Sequence, residues 1–317
     1  MADVLGMKLS VIVPVHNEEA NIRLFYERSL PILEGLVGLT SWEVVYVNNG
    51  SEDRTSEEVL RLRSLDPRVK LVTLSRNFGY HGALVAGLSS CDSDLYAMID
   101  VDCEDPPELL GKFYESIQAG AQLAYGIRSN RDESRWVTLC RKLFYGLNRR
   151  VADSEIVMWM AEFAMMTRQV RNAILLPHTT YPFLRAEMGY VGFRRIGIPY
   201  LRAKRVSGRS HYGLGRMTKF AVAGILSSTT FPLRLVLYLA AGLAIAFPIA
   251  CLVLELRLAQ MAMVAAVLCL YYVLVTLPFI ALYLARTYKN GVARPIFVVN
   301  QAETFLDPVS EEAGVDR

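Results

Sequence analysis

Two uncharged apolar runs, Leu235 to Leu254 and Met261 to Ala285, constrain this 317-residue chain more than any other feature. Each is about the twenty residues that a helix needs to cross the hydrocarbon core of a bilayer. Pro278 interrupts the second, and Glu255-Leu256-Arg257-Leu258-Ala259-Gln260 forms the hairpin between them. Uncharged stretches of this length are rare as core helices of soluble folds, so the sequence predicts a membrane hairpin. Arg216, Lys219 and Arg234 flank the first run, and Arg286, Lys289 and Arg294 follow the second, against Arg257 alone in the hairpin. Basic residues collect on the cytoplasmic side, so both termini are expected there, in a multi-pass protein of the cytoplasmic membrane.

Ahead of the hairpin, β-rich runs alternate with helical patterns. Leu9 to Val15, Trp42 to Val47, Val69 to Leu74, Leu95 to Ile99 and Leu123 to Ile127 read as strands, and Phe163 to Met166 and Val191 to Tyr200 as two more. Strands alternating with helices at this spacing predict an α/β domain, a parallel sheet with helices on both faces. Polar or glycine-bearing turns follow the first strands: His16-Asn17-Glu18-Glu19, Asn48-Asn49-Gly50-Ser51 and Ser75-Arg76-Asn77-Phe78-Gly79. Carboxyl ends of strands are where open α/β sheets bind ligands, so these turns outline a nucleotide site. Met1 to Lys8 is short and mixed, and the apolar run after it holds Pro14 and soon reaches Glu18 and Glu19, so no secretory signal is expected. The predicted organisation is an α/β domain over 1–212, an amphipathic juxtamembrane helix over 213–232, the hairpin over 233–286 and a cytoplasmic tail over 287–317.

The fourth strand delivers Ile99-Asp100-Val101-Asp102-Cys103-Glu104-Asp105-Pro106-Pro107-Glu108. In the turn leaving a strand, Asp100 and Asp102 can converge on a hard divalent cation, Mg²⁺ or Mn²⁺, which takes carboxylate, water and phosphate oxygens. Asp105 is placed to cap the next helix, with the two prolines in its first turn. The five cysteines, Cys91, Cys103, Cys140, Cys251 and Cys269, show no metal or disulfide spacing and suit a reducing compartment. A net charge of +3 makes no case for a nucleic-acid partner. Basic residues do gather locally, in the stretch from Ser134 to Arg150 and in the loop holding Arg202, Lys204, Arg205, Arg209 and His211.

The stretches VIVPVHNEEANI, VYVNNGSEDRT, LSRNFGYHGALVAGL, IDVDCEDPPELL, AYGIRSNR, KLFYGLNR, RVSGRSHYGL, FPLRLVLYLA and ARTYKNGVARPIFVV are spread along nearly the whole chain. Together they resemble glycosyltransferase family 2, and within it the polyprenyl-phosphate glycosyltransferases related to dolichol-phosphate mannose synthase and the bactoprenol glucosyltransferases. The resemblance implies a GT-A, Rossmann-like domain followed by amphipathic and transmembrane helices. It also implies metal-dependent, inverting transfer of a hexose-type sugar from a nucleotide-sugar donor, UDP-linked rather than GDP-linked, to a polyprenyl phosphate. Carried over by position, Pro14, Asn17 and Glu18 line the nucleoside pocket with Asn49 and Ser51. Asp100 and Asp102 hold the metal against the diphosphate, Asp102 with a catalytic part. Arg128 contacts phosphate, and Arg205, Ser210, His211 and Tyr212 form the acceptor or phosphate loop. A homo-oligomer is expected from the same resemblance.

The sequence departs from that pattern at three places. Asn49 stands where relatives carry aspartate, and His211 where the loop has lysine. Met158 to Met165 replaces a segment like V-D-A-G-D-F-R-L, so that Trp159 displaces an acid, Glu162 lengthens another and Ala164 removes an arginine. Glu162 is the candidate catalytic base or electrostatic partner. Two other readings stay open: a transferase of the same fold acting on a glycolipid or glycan hydroxyl, which needs Glu162 as a working base, and a non-catalytic nucleotide-sugar-binding membrane subunit.

Overall fold

The computed structural model describes residues 6–129, 160–177, 180, 182–202, 230–253 and 257–306. It contains two compact units, one carrying the sheet together with the chain from Pro295 onward, the other carrying the long apolar helices.

In the first unit, strands β1 (Met7–Val15), β2 (Leu39–Asn48), β3 (Val69–Thr73), β4 (Leu95–Met98) and β5 (Leu123–Arg128) alternate with helices α1 (Glu19–Glu34), α2 (Thr55–Leu65), α3 (Tyr80–Ser90) and α4 (Leu109–Gln118). Strand β6 (Met160–Thr167), helices α5 (Arg168–Leu175) and α6 (Leu184–Tyr190) and strand β7 (Arg195–Tyr200) follow. The seven strands lie in the order β3-β2-β1-β4-β6-β5-β7. β1 pairs in parallel with both β2 and β4, so successive crossovers leave β1 in opposite directions. That reversal opens a crevice at the carboxyl ends of β1 and β4.

The sequence predicts a parallel sheet, and the structure corrects this: β6 enters between β4 and β5 and runs antiparallel to both. The parallel neighbours β1 to β4 are each joined through a helix, the crossover that parallel pairing requires, whereas about thirty residues separate Arg128 from β6, enough chain to enter the sheet in either direction. Alternation along β1 feeds two cores. Val11, Val13 and Val15 pack with Ile22 and Phe25 of α1 and Phe113 of α4, while Ile12 faces Ala83, Ala86 and Leu88 of α3. Gly87 permits that second contact, since a Cβ there would lie 2.3 Å from Ile12 Cγ2 and 2.8 Å from Val47 Cγ2.

The second unit holds α7 (Phe231–Val253) and α8 (Leu258–Val292). Both exceed the length that spans a bilayer, with a mean hydropathy of 2.4 in their most apolar stretches, of which just 6% of residues are buried. A soluble core helix of such composition would be covered; these expose Leu237, Tyr238, Ile245, Val267 and Leu274. Pro278 lies inside α8 without ending it. Tyr272 of α8 donates to the Val236 carbonyl of α7 at 3.1 Å. Of the expected juxtamembrane helix, 213–229 lies outside the described residues.

The tail does not stand apart as a separate segment. Leu71 and Phe305 exchange backbone bonds of 3.1 and 2.7 Å, Asn300 N–H donates to Thr73 O at 2.7 Å, and Ser75 N–H donates to Val298 O at 2.9 Å. Ile296 and Phe297 pack on the α3 side of the sheet. The tail thereby covers β3, an edge that would otherwise present unpaired backbone groups.

Candidate active site

The turns after β1 and β2 are fastened to each other. Asn17, at φ 57°, receives the Glu52 N–H on its Oδ1 at 2.8 Å, and its own N–H donates to Ser51 Oγ at 3.0 Å. Glu18 N–H donates to Thr55 Oγ1, and the Glu18 carboxylate holds Asn21 Nδ2. Pro14 sits in β1, half-buried and in register with Val47 of β2. The expected nucleoside residues are thus together at one edge of the crevice, with Asn17 and Ser51 setting the shape of its wall.

Asn49 has a partner that sequence reasoning missed. Phe78 N–H donates to Asn49 Oδ1 at 2.8 Å and Gly79 N–H to Asn77 Oδ1 at 2.8 Å. Backbone amides can only donate, so both carboxamide oxygens are assigned, and Asn49 Nδ2 then donates to Asn77 Oδ1 at 3.2 Å. Asn77 Nδ2 in turn meets His16 Nε2 at 3.2 Å. An aspartate at 49 would oppose an oxygen to the Asn77 oxygen. The departure at 49 is therefore matched to Asn77, and the signal was the Ser75-Arg76-Asn77-Phe78-Gly79 turn itself.

Beyond β4, Ile99 N–H still reaches the Ile12 carbonyl at 3.1 Å before the chain turns. Asp100 Oδ1 accepts the Tyr80 hydroxyl at 2.7 Å, and Asp102 Oδ1 accepts Glu104 N–H at 3.0 Å. Cys103, at φ 55°, makes the reversal that returns the chain over Asp102. Burial, followed by the charges of Asp105 and Asp102, pushes the Asp100 carboxyl up to about 7. Tyr80, at the start of α3, was not anticipated; loss of solvation at its hydroxyl end and the charges of Asp100 and Glu162 hold its proton on well above the ordinary range. This surplus of carboxylate charge at a strand end is what a hard divalent cation would neutralise, although among the described residues no group of three His, Cys, Asp or Glu side chains is placed to hold one.

Glu162 of β6 lies within electrostatic reach of Asp100 and is taken up by Arg185 of α6. Arg185 Nε donates to Oε1 at 2.9 Å and Nη2 makes a close contact with Oε2. Burial acts to raise the Glu162 pKa, but Arg185, by charge and hydrogen bonds, and His81 bring it below the ordinary value. Of the two expected roles, base or electrostatic partner, this environment favours the second. His81, with its pKa lowered by burial, packs edge-on against Tyr80 at 5.5 Å and Phe183 at 5.4 Å.

Asp105 does not cap α4, which starts at Leu109 without a side-chain cap. The carboxylate is 1% exposed and turns inward, accepting the Tyr200 hydroxyl at 2.5 Å and Arg128 Nη2 at 2.9 Å. Arg128 Nε also donates to Tyr200 Oη at 3.0 Å. The guanidinium expected to meet phosphate is therefore committed to the protein, behind the Asp-x-Asp turn. Arg205, Ser210, His211 and Tyr212 lie outside the described residues, as does Trp159.

A seven-stranded mixed sheet with paired aspartates at its reversal point, followed by two exposed apolar helices, defines a GT-A-type sugar-transfer domain joined to candidate membrane spans. The chain belongs to glycosyl transferase family 2, whose family model matches residues 10–175. It is 32% identical to the uncharacterized glycosyltransferase YkcC of Bacillus subtilis across 93% of this chain and 94% of that one. It is 35% identical to a prophage bactoprenol glucosyl transferase homolog of Escherichia coli K12, across 76% and 78%. A third relative, 27% identical across 96% and 97%, is the undecaprenyl-phosphate 4-deoxy-4-formamido-L-arabinose transferase of Edwardsiella ictaluri. Among solved structures, glucosyl-3-phosphoglycerate synthase of Mycobacterium tuberculosis, in complex with Mn²⁺, UDP-glucose and phosphoglyceric acid, shares the fold. Its TM-score is 0.50 at 21% identity, over 70% of this chain and 79% of that one.

Proposed function

We propose that this enzyme moves a hexose-type sugar from a nucleotide-sugar, UDP-linked in preference to GDP-linked, to a polyprenyl phosphate at the cytoplasmic face of the membrane. The observation that carries the reading is the pairing of Glu162 with Arg185 beside the Asp-x-Asp turn. A hydroxyl acceptor needs a base, and the acid nominated for that task already accepts bonds from Arg185 on both oxygens. A lipid phosphate, with a second pKa near ~6, arrives largely ionised and can attack the anomeric carbon without one. The names of the bactoprenol and undecaprenyl-phosphate relatives agree with such an acceptor.

Asp100 and Asp102 would hold Mg²⁺ or Mn²⁺, which supplies Lewis-acid stabilisation of the departing nucleoside diphosphate. The turns around Asn17, Ser51 and Asn49 orient the nucleoside, and Tyr80 steadies the Asp100 carboxylate. Positioning and charge neutralisation then account for most of the rate. Inversion at the anomeric carbon follows from attack opposite the leaving group. Because the tail after α8 is hydrogen-bonded to β3, the segments on either side of the apolar hairpin belong on one face of the membrane, and the flanking basic residues favour the cytoplasmic one. Arg205, Ser210, His211 and Tyr212 are proposed to meet phosphate on the acceptor side, and a homo-oligomer is proposed.

The test is to incubate membranes holding the full chain with labelled nucleotide sugars and polyprenyl phosphate, with and without chelator. Chelator-sensitive label in the lipid extract is expected. Turnover per folded molecule should survive Glu162→Gln in measurable amount; its complete loss in a correctly folded variant would favour the hydroxyl-acceptor reading. Failure to consume any donor would favour a binding subunit.

A further inference from the structure

We infer that Arg202 is a diphosphate-binding residue held in reserve on Glu104, so that the donor must take this arginine from a carboxylate of the Asp-x-Asp turn. The inference rests on the nucleotide-sugar reading above. Glu104 follows Asp102 by two positions and its N–H donates to Asp102 Oδ1. Arg202 lies two residues past the end of β7, where its Nη2 meets Glu104 Oε2 in a close ion pair. Its Nε lies 3.7 Å from Asp105 Oδ1, beyond hydrogen-bond range.

Asp105 has no need of that second contact, because Tyr200 and Arg128 already fill it. The two arginines of this corner therefore differ in kind. Arg128 has a side chain 14% exposed, fixed by bonds to two buried groups, and its removal would leave Asp105 without its hydrogen-bonded counter-charge. Arg202 has a side chain 37% exposed and pairs with Glu104, whose own side chain is 12% exposed. With its guanidinium this open to solvent, Arg202 is held less firmly than Arg128. A diphosphate arriving at Asp100 and Asp102 would offer the planar guanidinium several anionic oxygens on two tetrahedral phosphates, and more negative charge than a single carboxylate.

Calorimetric titration of the full chain in nanodiscs with UDP and with GDP, each with Mn²⁺ at fixed ionic strength, tests this. Arg202→Ala should weaken binding about tenfold or more, and Arg202→Lys by less, since charge without the fork is kept. Glu104→Gln should tighten binding by about threefold, the opposite sign. In the Arg202→Ala background that tightening should vanish, because there is no arginine left to release. Wild-type affinity in Arg202→Ala overturns the inference. So does a Glu104→Gln gain that persists without Arg202, since Glu104 would then act by simple repulsion of the anion. Wild-type protein that binds neither nucleotide overturns the function reading itself, a result distinct from either.

Discussion

Asp100→Asn is expected to stabilise the metal-free protein while abolishing sugar transfer. In the folded chain the Asp100 carboxyl is pushed up to about 7 from 3.8, by burial and by Asp105 and Asp102. The folded state thus binds this proton more tightly than the unfolded chain does. Its contribution is a penalty, absent below about pH 4, growing between the two values and complete above about pH 7. At about 1.4 kcal/mol per pH unit, the full penalty is at most about 4 kcal/mol at pH 8.5 and about 2 kcal/mol at pH 5.5. Asparagine keeps an oxygen for the Tyr80 hydroxyl, bonded at 2.7 Å in the wild type, and discards the charge.

The assay is thermal unfolding of the full chain in detergent with EDTA, at both pH values, alongside lipid-extractable label. A domain of this size gains about 2–4 °C per kcal/mol, so the variant should melt several degrees higher at pH 8.5, with a smaller gain at pH 5.5. Mn²⁺ with UDP should reverse the ranking, since those ligands stabilise the form that binds them. A variant no more stable than wild type at pH 8.5 in EDTA, or one with the same gain at both pH values, would refute the reasoning.

Arg185→Met should cost about 3–5 kcal/mol in chemical denaturation, because it leaves the Glu162 carboxylate buried without its counter-charge. Asn49→Asp sets an acceptor against Asn77 Oδ1, so the Asn77 amide must turn over and abandon Gly79 N–H; a loss of about 1–3 kcal/mol in stability and weaker UDP binding by calorimetry are expected. Gly87→Ala forces a methyl into Ile12 and Val47, and should lower stability by about 1–3 kcal/mol on a thermal melt.

What could be read in the sequence was whatever depends on near neighbours in the chain. Strand periodicity, the turns that follow β1 to β4 and the length of the apolar runs are local properties, and the strand and span positions follow them to within a few residues. Asp100 and Asp102 were legible for the same reason, two carboxylates one residue apart at a strand end. The long-range pairings were not. Nothing local distinguishes an antiparallel β6, because direction is set by how its connecting segment returns to the sheet. Asp105 looked like a cap because Pro106, Pro107 and Glu108 follow it, yet Arg128 and Tyr200, distant in sequence, compete for the same carboxylate. Two charge-assisted bonds in a buried corner outweigh one cap at a helix end, which a capping side chain supports by only about 1 kcal/mol. Glu162 of β6 and Arg185 of α6 repeat the lesson, where the residue nominated as a base is bound by a helix whose arginine had no local signature. An acid's role in such a site is therefore decided by the cation that reaches it across the fold, and for Asp105 and Glu162 that cation is an arginine of this chain.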